Sequence, residues 1–323
     1  MFEDPPPQLA ALLAPRLQEL ASRQIYFGTS SWKYEGWMGQ IYTRQRYLSR
    51  GKFSQKKFEA ECLAEYAKTF PAVCGDFSFY QFPSDAFWRQ IFSSAPPQLL
   101  FAFKVPEEVT AKRFPAHARY GPRAGLDNET FLNAALFQDA FLRPLEPYRH
   151  RIAALIFEFG TFSQQSFAGQ PPFLDHLERF LAALPSGYRY AVEVRNRELL
   201  QPDYFTCLRS HRVAHVFNAW SRMPELSRQI AMPGAFTADF NVVRALLRFG
   251  RPYEEAVAKF APYLHVQDPN PNARESIRSI VQHARREQRP SFIFVNNRLE
   301  GNAPESIAAM IEESFLTDSV VQI

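Results

Sequence analysis

Ile152-Ala153-Ala154-Leu155-Ile156-Phe157-Glu158-Phe159 is an apolar run of strand length, and Tyr190-Ala191-Val192-Glu193-Val194-Arg195-Asn196 is a second. Between them, Phe173, Leu174, Leu177, Phe180, Leu181 and Leu184 recur at the spacing of one helical face, with Pro171 and Pro172 at its start and Gly187 past its end. The stretch reads as strand, helix, strand. Six further apolar runs lie outside it: Ile25–Ser30, Val73–Tyr80, Leu99–Val105, Val213–Ala219, Val242–Leu247 and Phe292–Asn297. A second helical spacing follows Pro304 through Ile307, Met310, Ile311 and Phe315. Eight strand–helix units predict an α/β protein, a (β/α)8 TIM barrel, in preference to a doubly wound open sheet. Residues 1–24, with Leu9, Leu12, Leu13, Leu17 and Leu20, predict an N-terminal helical extension lying on the bottom of the barrel, and 25–323 form the barrel domain.

The chain has 323 residues, 46% hydrophobic and 22% charged, which excludes wholesale disorder. Phenylalanine is in excess, with 31 residues. Four candidate strands carry Phe at i and i+2: Phe77/Phe79, Phe101/Phe103, Phe157/Phe159 and Phe292/Phe294. Period two puts each pair on one face, and rings fit the roomier layer beneath the helices, so all four pairs are expected to point outward. Parity then aims Asp76, Ser78, Tyr80, Lys104 and Glu158 into the barrel, and Glu193 and Arg195 by the same logic from Val192 and Val194.

Cys62, Cys74 and Cys207 are odd in number and far apart, which fits neither a disulfide framework nor a zinc site and suits a reducing cytoplasm. The N-terminus has neither the positive nor the apolar region of a signal peptide, and no apolar run reaches membrane-span length, so no membrane partner is expected. No His-Glu-x-x-His, Cys-x-x-Cys, Gly-x-Gly-x-x-Gly or Gly-x-Ser-x-Gly pattern occurs; no metal and no cofactor are expected. His211 and His215 fall at a strand entrance, where a spacing of four separates them by roughly 13 Å.

The formal charge is only +4, but Arg44, Arg46, Arg50, Lys52, Lys56 and Lys57 form a basic run without an acidic residue. A solvated loop accounts for it, and so does a surface that faces phosphates or nucleic acid. The run lies in the long connection from Ser31 to Gln55, and Pro106–Asp127 is similarly long; such connections tend to be functional. Lys104, Glu158, Glu193 and Arg195 are the strongest chemical constellation. Charged groups aimed into one barrel must pair, either as a structural plug or as the polar floor of a ligand site. Two carboxylates there could serve glycoside cleavage, whereas Glu neighbours argue against a Schiff-base role for Lys104. Trp32 and Trp37 in the first loop suit an aromatic platform or a plug, and Asn296 and Asn297 suit ligand orientation or capping.

These residues carry a resemblance. Gly28-Thr29-Ser30-Ser31-Trp32-Lys33-Tyr34-Glu35-Gly36-Trp37, Ser78-Phe79-Tyr80 with Pro83-Ser84, Phe103-Lys104-Val105-Pro106, Ala191-Val192-Glu193-Val194-Arg195, and Asn296-Asn297 through Glu300-Gly301 to Ala303-Pro304 resemble, in order, the landmarks of the YecE-like family, domain of unknown function 72. The resemblance implies a TIM barrel, a bacterial and cytoplasmic protein, and no established reaction. Cys74 and Asp76 stand where the family pattern has Glu and Asn, Asn196 stands where it has His, and Arg244 to Gly250 lacks its Arg-Leu-His-Gly. A shifted chemistry and a purely binding role both stay open.

The expected function is that of an enzyme, a hydrolase or lyase, acting on a small anionic or sugar-like metabolite, phosphorylated or not, at the C-terminal mouth of the barrel. Glu193 is the candidate acid/base, with Lys104, Arg195 and Asp76 as the other catalytic candidates. Trp32, Tyr80, Glu158, Asn296 and Asn297 are candidate substrate contacts. The alternatives are a nucleic-acid-binding protein using Arg44–Lys57 and a non-catalytic ligand-binding scaffold.

Overall fold

Strands buried on both faces need helices around them, and the eight apolar runs solve that by closing on themselves. The computed structural model describes residues 6–162, 166–167 and 170–312. Its parallel strands are β1 (Ile25–Thr29), β2 (Ala72–Gly75), β3 (Leu100–Lys104), β4 (Ile152–Phe159), β5 (Tyr190–Val194), β6 (Ala214–Ala219), β7 (Asn241–Ala245) and β8 (Ser291–Val295). Each pairs with its neighbours in sequence, and β8 returns to β1 to close the barrel. No helix among the described residues is long and apolar enough to cross a membrane. Phe315, the last residue of the second predicted helical face, lies outside the described residues.

Helix α1 (Gln8–Ser22) buries Leu13, Leu17 and Leu20, while Leu12 stays exposed. It flanks the barrel and does not cap its bottom: Ala10 N–H donates to Gln40 O, beyond β1, and the helix packs on β1. Its last turn leads directly into β1, so the two elements run side by side.

The outward placement of rings holds for Phe101, Phe103, Phe157 and Phe159, which pack in the layer between strands and helices. It is reversed in β8. Phe292 and Phe294 point into the barrel, and Ile293 points out. The interior accepts two rings because Ala72, Ala102, Ala154, Ala191 and Ala214 face it from five other strands. Tyr26 stacks on Phe292 with centroids 5.2 Å apart. Filled volume is thus shared around the ring of strands, not strand by strand.

β2 is shorter than the sequence predicted. It ends at Gly75, and Asp76–Tyr80 form a turn in which Phe79 N–H donates to Asp76 O. Period-two parity stops there, so Tyr80 stands 56% exposed instead of facing the barrel.

The β1–β2 seam is narrow, with only Gly28↔Ala72 and Thr29↔Val73 in register. Tyr66, from α2 (Gln55–Tyr66), clasps it: its hydroxyl accepts from Thr29 N–H (3.0 Å) and donates to Ala72 O (2.9 Å). A Cβ on Gly28 would sit 2.0 Å from Ala72 O, a backbone atom with nowhere to move. Gly28→Ala is expected to lose about 2–3 kcal/mol of stability through overpacking, read as a lower midpoint in urea unfolding. An unchanged midpoint would refute the seam's rigidity.

Candidate functional site

Above the apolar floor, the last inward positions of the strands are polar. Lys104 ends β3, Glu158 lies in β4, Glu193 in β5 and Arg244 in β7. Glu158 and Glu193 are in register, and Arg195 follows β5. The turn after β2 adds Asp76. Lys104 Nζ lies 3.2 Å from Glu158 and 3.8 Å from Asp76. Arg195 Nη2 lies 3.0 Å from Glu158 and 2.7 Å from Glu193. Arg244 donates through Nη1 to both Glu158 and Glu193, and its Nη2 is 3.3 Å from Asp76. Three cations therefore meet three carboxylates, which is the balance that burial demands.

Burial alone would raise the Glu158 carboxyl, but Lys104, Arg195 and Arg244 hold it well below the usual carboxylate range. Arg244 would be pulled down by burial, and Glu193 leads the surrounding groups that push it well above its ordinary value. Beneath them, burial pushes the Cys74 thiol up to about 12, so it stays protonated.

The expected residues divide into two groups. Lys104, Glu158, Glu193, Arg195 and Asp76 come together in this network. Tyr80 points to solvent beside Arg119, whose guanidinium is 4.5 Å from its ring centre. Trp32 is 4% exposed, edge-on to Phe77, and Trp37 is fully buried, so both belong to the aromatic core and offer no open platform. Asn297 Oδ1 accepts from Trp37 Nε1 and Ala303 N–H, fastening the first loop to the helix Ala303–Met310. Asn296 Oδ1 accepts from Arg298 N–H. Both amide oxygens are spent on the backbone and the core, while Asn297 Nδ2 is buried without a hydrogen bond. The basic run folds as a surface hairpin (Leu48–Ser49 with Lys52–Phe53) leading into α2; Thr43 N–H and Tyr47 OH both donate to buried Glu65.

Two residues of consequence were missed by the sequence reading. Arg244 is the first, 1% exposed and at the centre of the network. Glu107 is the second. It opens α3 (Glu107–Thr110), just beyond β3, inside the long Pro106–Asp127 connection. With Glu158, Arg119, Tyr120 and Lys112 it lines a cavity of about 280 Å³. Tyr120 OH donates to Glu107 Oε2 at 2.7 Å. Burial raises the Glu107 carboxyl above its ordinary value, against the Tyr120 hydrogen bond and the charges of Arg119 and Lys104. An acidic residue within three positions of a charged strand end was the available signal.

A second cavity of about 430 Å³ adjoins the first, with Thr161 in the walls of both. Arg195, Arg197 and Arg222 line it against Glu198. Arg195 lies over Trp220, 4.0 Å from its ring centre, and its Nη1 is buried without a hydrogen bond. A buried guanidinium with an unused donor, beside further arginines, offers the charge and the hydrogen bonds that an anion would accept.

A family model described as "Protein of unknown function DUF72" matches residues 26–319. Among solved structures, a DUF72 family protein of Thermotoga maritima is 19% identical, with a TM-score of 0.55 over 91% of this chain and 99% of that one. A DUF72 family protein of Enterococcus faecalis is 16% identical, with a TM-score of 0.58 over 92% and 96% of the two chains. At these identities the likeness is one of fold. No curated protein matches the chain.

Proposed function

The chain belongs to the DUF72 family, and from that premise and its barrel mouth we propose that it is an enzyme acting on a small anionic metabolite by acid/base and electrostatic catalysis. One observation carries the reading: Glu107 and Glu158 face the same cavity, yet their surroundings push their proton affinities apart. Carboxylates separated in this way divide the roles of acid and permanent anion. Glu107 keeps its proton to a higher pH than a free carboxyl and suits donation to a leaving oxygen, as hydrolases and lyases require. Glu158 stays ionised.

Glu193 was the sequence candidate for the acid. It is fully buried, and Arg244 Nη1 bonds both it and Glu158. A cation therefore occupies the space between the two carboxylates that glycoside cleavage keeps for substrate. In this reading Glu193 positions Arg195 and Arg244, while Lys104 and Arg195 stabilise developing negative charge. The three buried, unpaired cysteines support a reducing, cytoplasmic setting.

Sugar phosphates and small carboxylates at low ionic strength are expected to raise Tm with concentration, and Arg195→Met to abolish the rise. A screen without any anion-dependent shift would remove the proposal. Binding that persists without turnover of any ligand would instead favour the non-catalytic scaffold. The nucleic-acid alternative rests on exposed Arg44, Arg46, Arg50, Lys52 and Lys56 around the hairpin. It requires oligonucleotide affinity that falls steeply with salt; affinity that is absent at low salt excludes it.

A further inference from the structure

Phe249 is the one phenylalanine among the described residues that is exposed, at 53%, in a chain that otherwise hides its rings. Leaving apolar area in water is unfavourable, and this loop is held firmly in doing so. Arg248 bonds Asp268 (3.1 Å) and the Pro269 carbonyl, and Arg251 bonds the other Asp268 oxygen. Between them Gly250 turns the chain at φ +78°, and its N–H donates to Ser221 O at 2.8 Å. The ring is thus presented on a loop pinned on both sides.

What surrounds the ring is cationic. Phe249 and Arg197 are shared walls of the 430 Å³ cavity and of a neighbouring one of about 350 Å³, which adds Arg228. Four guanidiniums, from Arg195, Arg197, Arg222 and Arg228, stand against the carboxylates of Glu198 and Glu225. No described residue forms an ion pair with Arg222 or Arg228, whereas Glu198 is 3.2 Å from Arg197. Each cavity is of the size that holds a small metabolite. A bare sugar phosphate would satisfy the arginines and leave the ring idle. A ligand with a flat ring and an anionic group would use both, by stacking on Phe249 and by forked hydrogen bonds from the guanidiniums.

Resting on the anion site proposed above, we propose that the ligand of this cleft is a nucleotide-like molecule, its aromatic ring stacked on Phe249 and its phosphate held by Arg195, Arg197 and Arg222. The test is calorimetric titration of the full chain with adenosine 5′-monophosphate and with ribose 5-phosphate, on the wild type, Phe249→Ala and Arg222→Ala. Adenosine monophosphate is expected to bind about tenfold more tightly than ribose 5-phosphate. Phe249→Ala should remove that advantage and leave ribose 5-phosphate unchanged, whereas Arg222→Ala should weaken both. Phe249 is a surface residue, so its variant tests binding without threatening the fold. Equal affinity for the two ligands, or a silent Phe249→Ala, overturns the stacking role and spares the anion site. Binding of neither ligand overturns both. A single-stranded oligonucleotide that binds far more tightly than the mononucleotide overturns the small-ligand assignment.

Discussion

Replacing Arg244 by methionine is expected to lower the unfolding free energy by about 3–5 kcal/mol, because three carboxylates are then left with only Lys104 and Arg195 to balance them in a buried cluster. Arg244 bonds Glu158 and Glu193 through one nitrogen and reaches Asp76 through another. Glu193 is wholly enclosed, so water cannot replace the lost guanidinium. The double variant Arg244→Met/Glu193→Gln removes one stranded charge and should recover part of the loss. A single variant within about 0.5 kcal/mol of wild type, the range of an ordinary surface change, would show the network to be dispensable.

The same substitution should alter the acid limb of stability. The folded Glu158 carboxyl is depressed, so its stabilisation is present above the unfolded value near 4.3 and is lost as pH falls through the lower folded value. Without Arg244 the depression shrinks, and less stability is there to lose. Urea unfolding at a series of pH values reads both effects.

Arg244 also shows where sequence reading ran out. Doubly buried parallel strands announce themselves as short apolar runs, and the eight strands were legible for that reason. Their facing was legible where large and small residues alternate, as in Phe101-Ala102-Phe103 and Val192-Glu193-Val194. In β7 the run Val242-Val243 has no such contrast, so Arg244 could not be assigned to a face. In β8 contrast was present and misled. Two rings point inward only because alanines on five other strands leave room, a property of the closed barrel and not of any one strand. At Asp76–Tyr80 the count of two ran past the end of a strand into a turn. Lys104, Glu158, Glu193 and Arg195 were legible together because a charge set in an apolar run is costly unless opposite charges meet it. Glu107 was not found, because its one local mark, a place three residues past Lys104, does not tell a carboxylate that tertiary structure buries from one left in solvent.

Burial acts in the same way on His215, and lowering the pH from 6.5 toward 3 is expected to cost the fold about 4–5 kcal/mol through this one side chain. His215 is 1% exposed, enclosed by Tyr204, Phe205 and Phe217 with ring centroids 5.7, 5.4 and 5.1 Å away. The Tyr204 hydroxyl lies 3.2 Å from Nδ1. Burial lowers the imidazole from its ordinary 6.5 to about 3. Between those values the unfolded chain binds a proton that the folded chain refuses, so the unfolding free energy falls by about 1.4 kcal/mol per pH unit on acidification. Stability from this residue is complete above pH 6.5 and lost progressively below it. His215→Phe keeps a ring in the aromatic cage and removes the proton, so its stability should fall with acid more gently by that slope. Contributions from Glu107, Glu158, His176 and His283 are common to both proteins and cancel in the difference. Parallel pH profiles for the two proteins, measured by urea unfolding from pH 7 to 4, would show that His215 does not set the acid sensitivity.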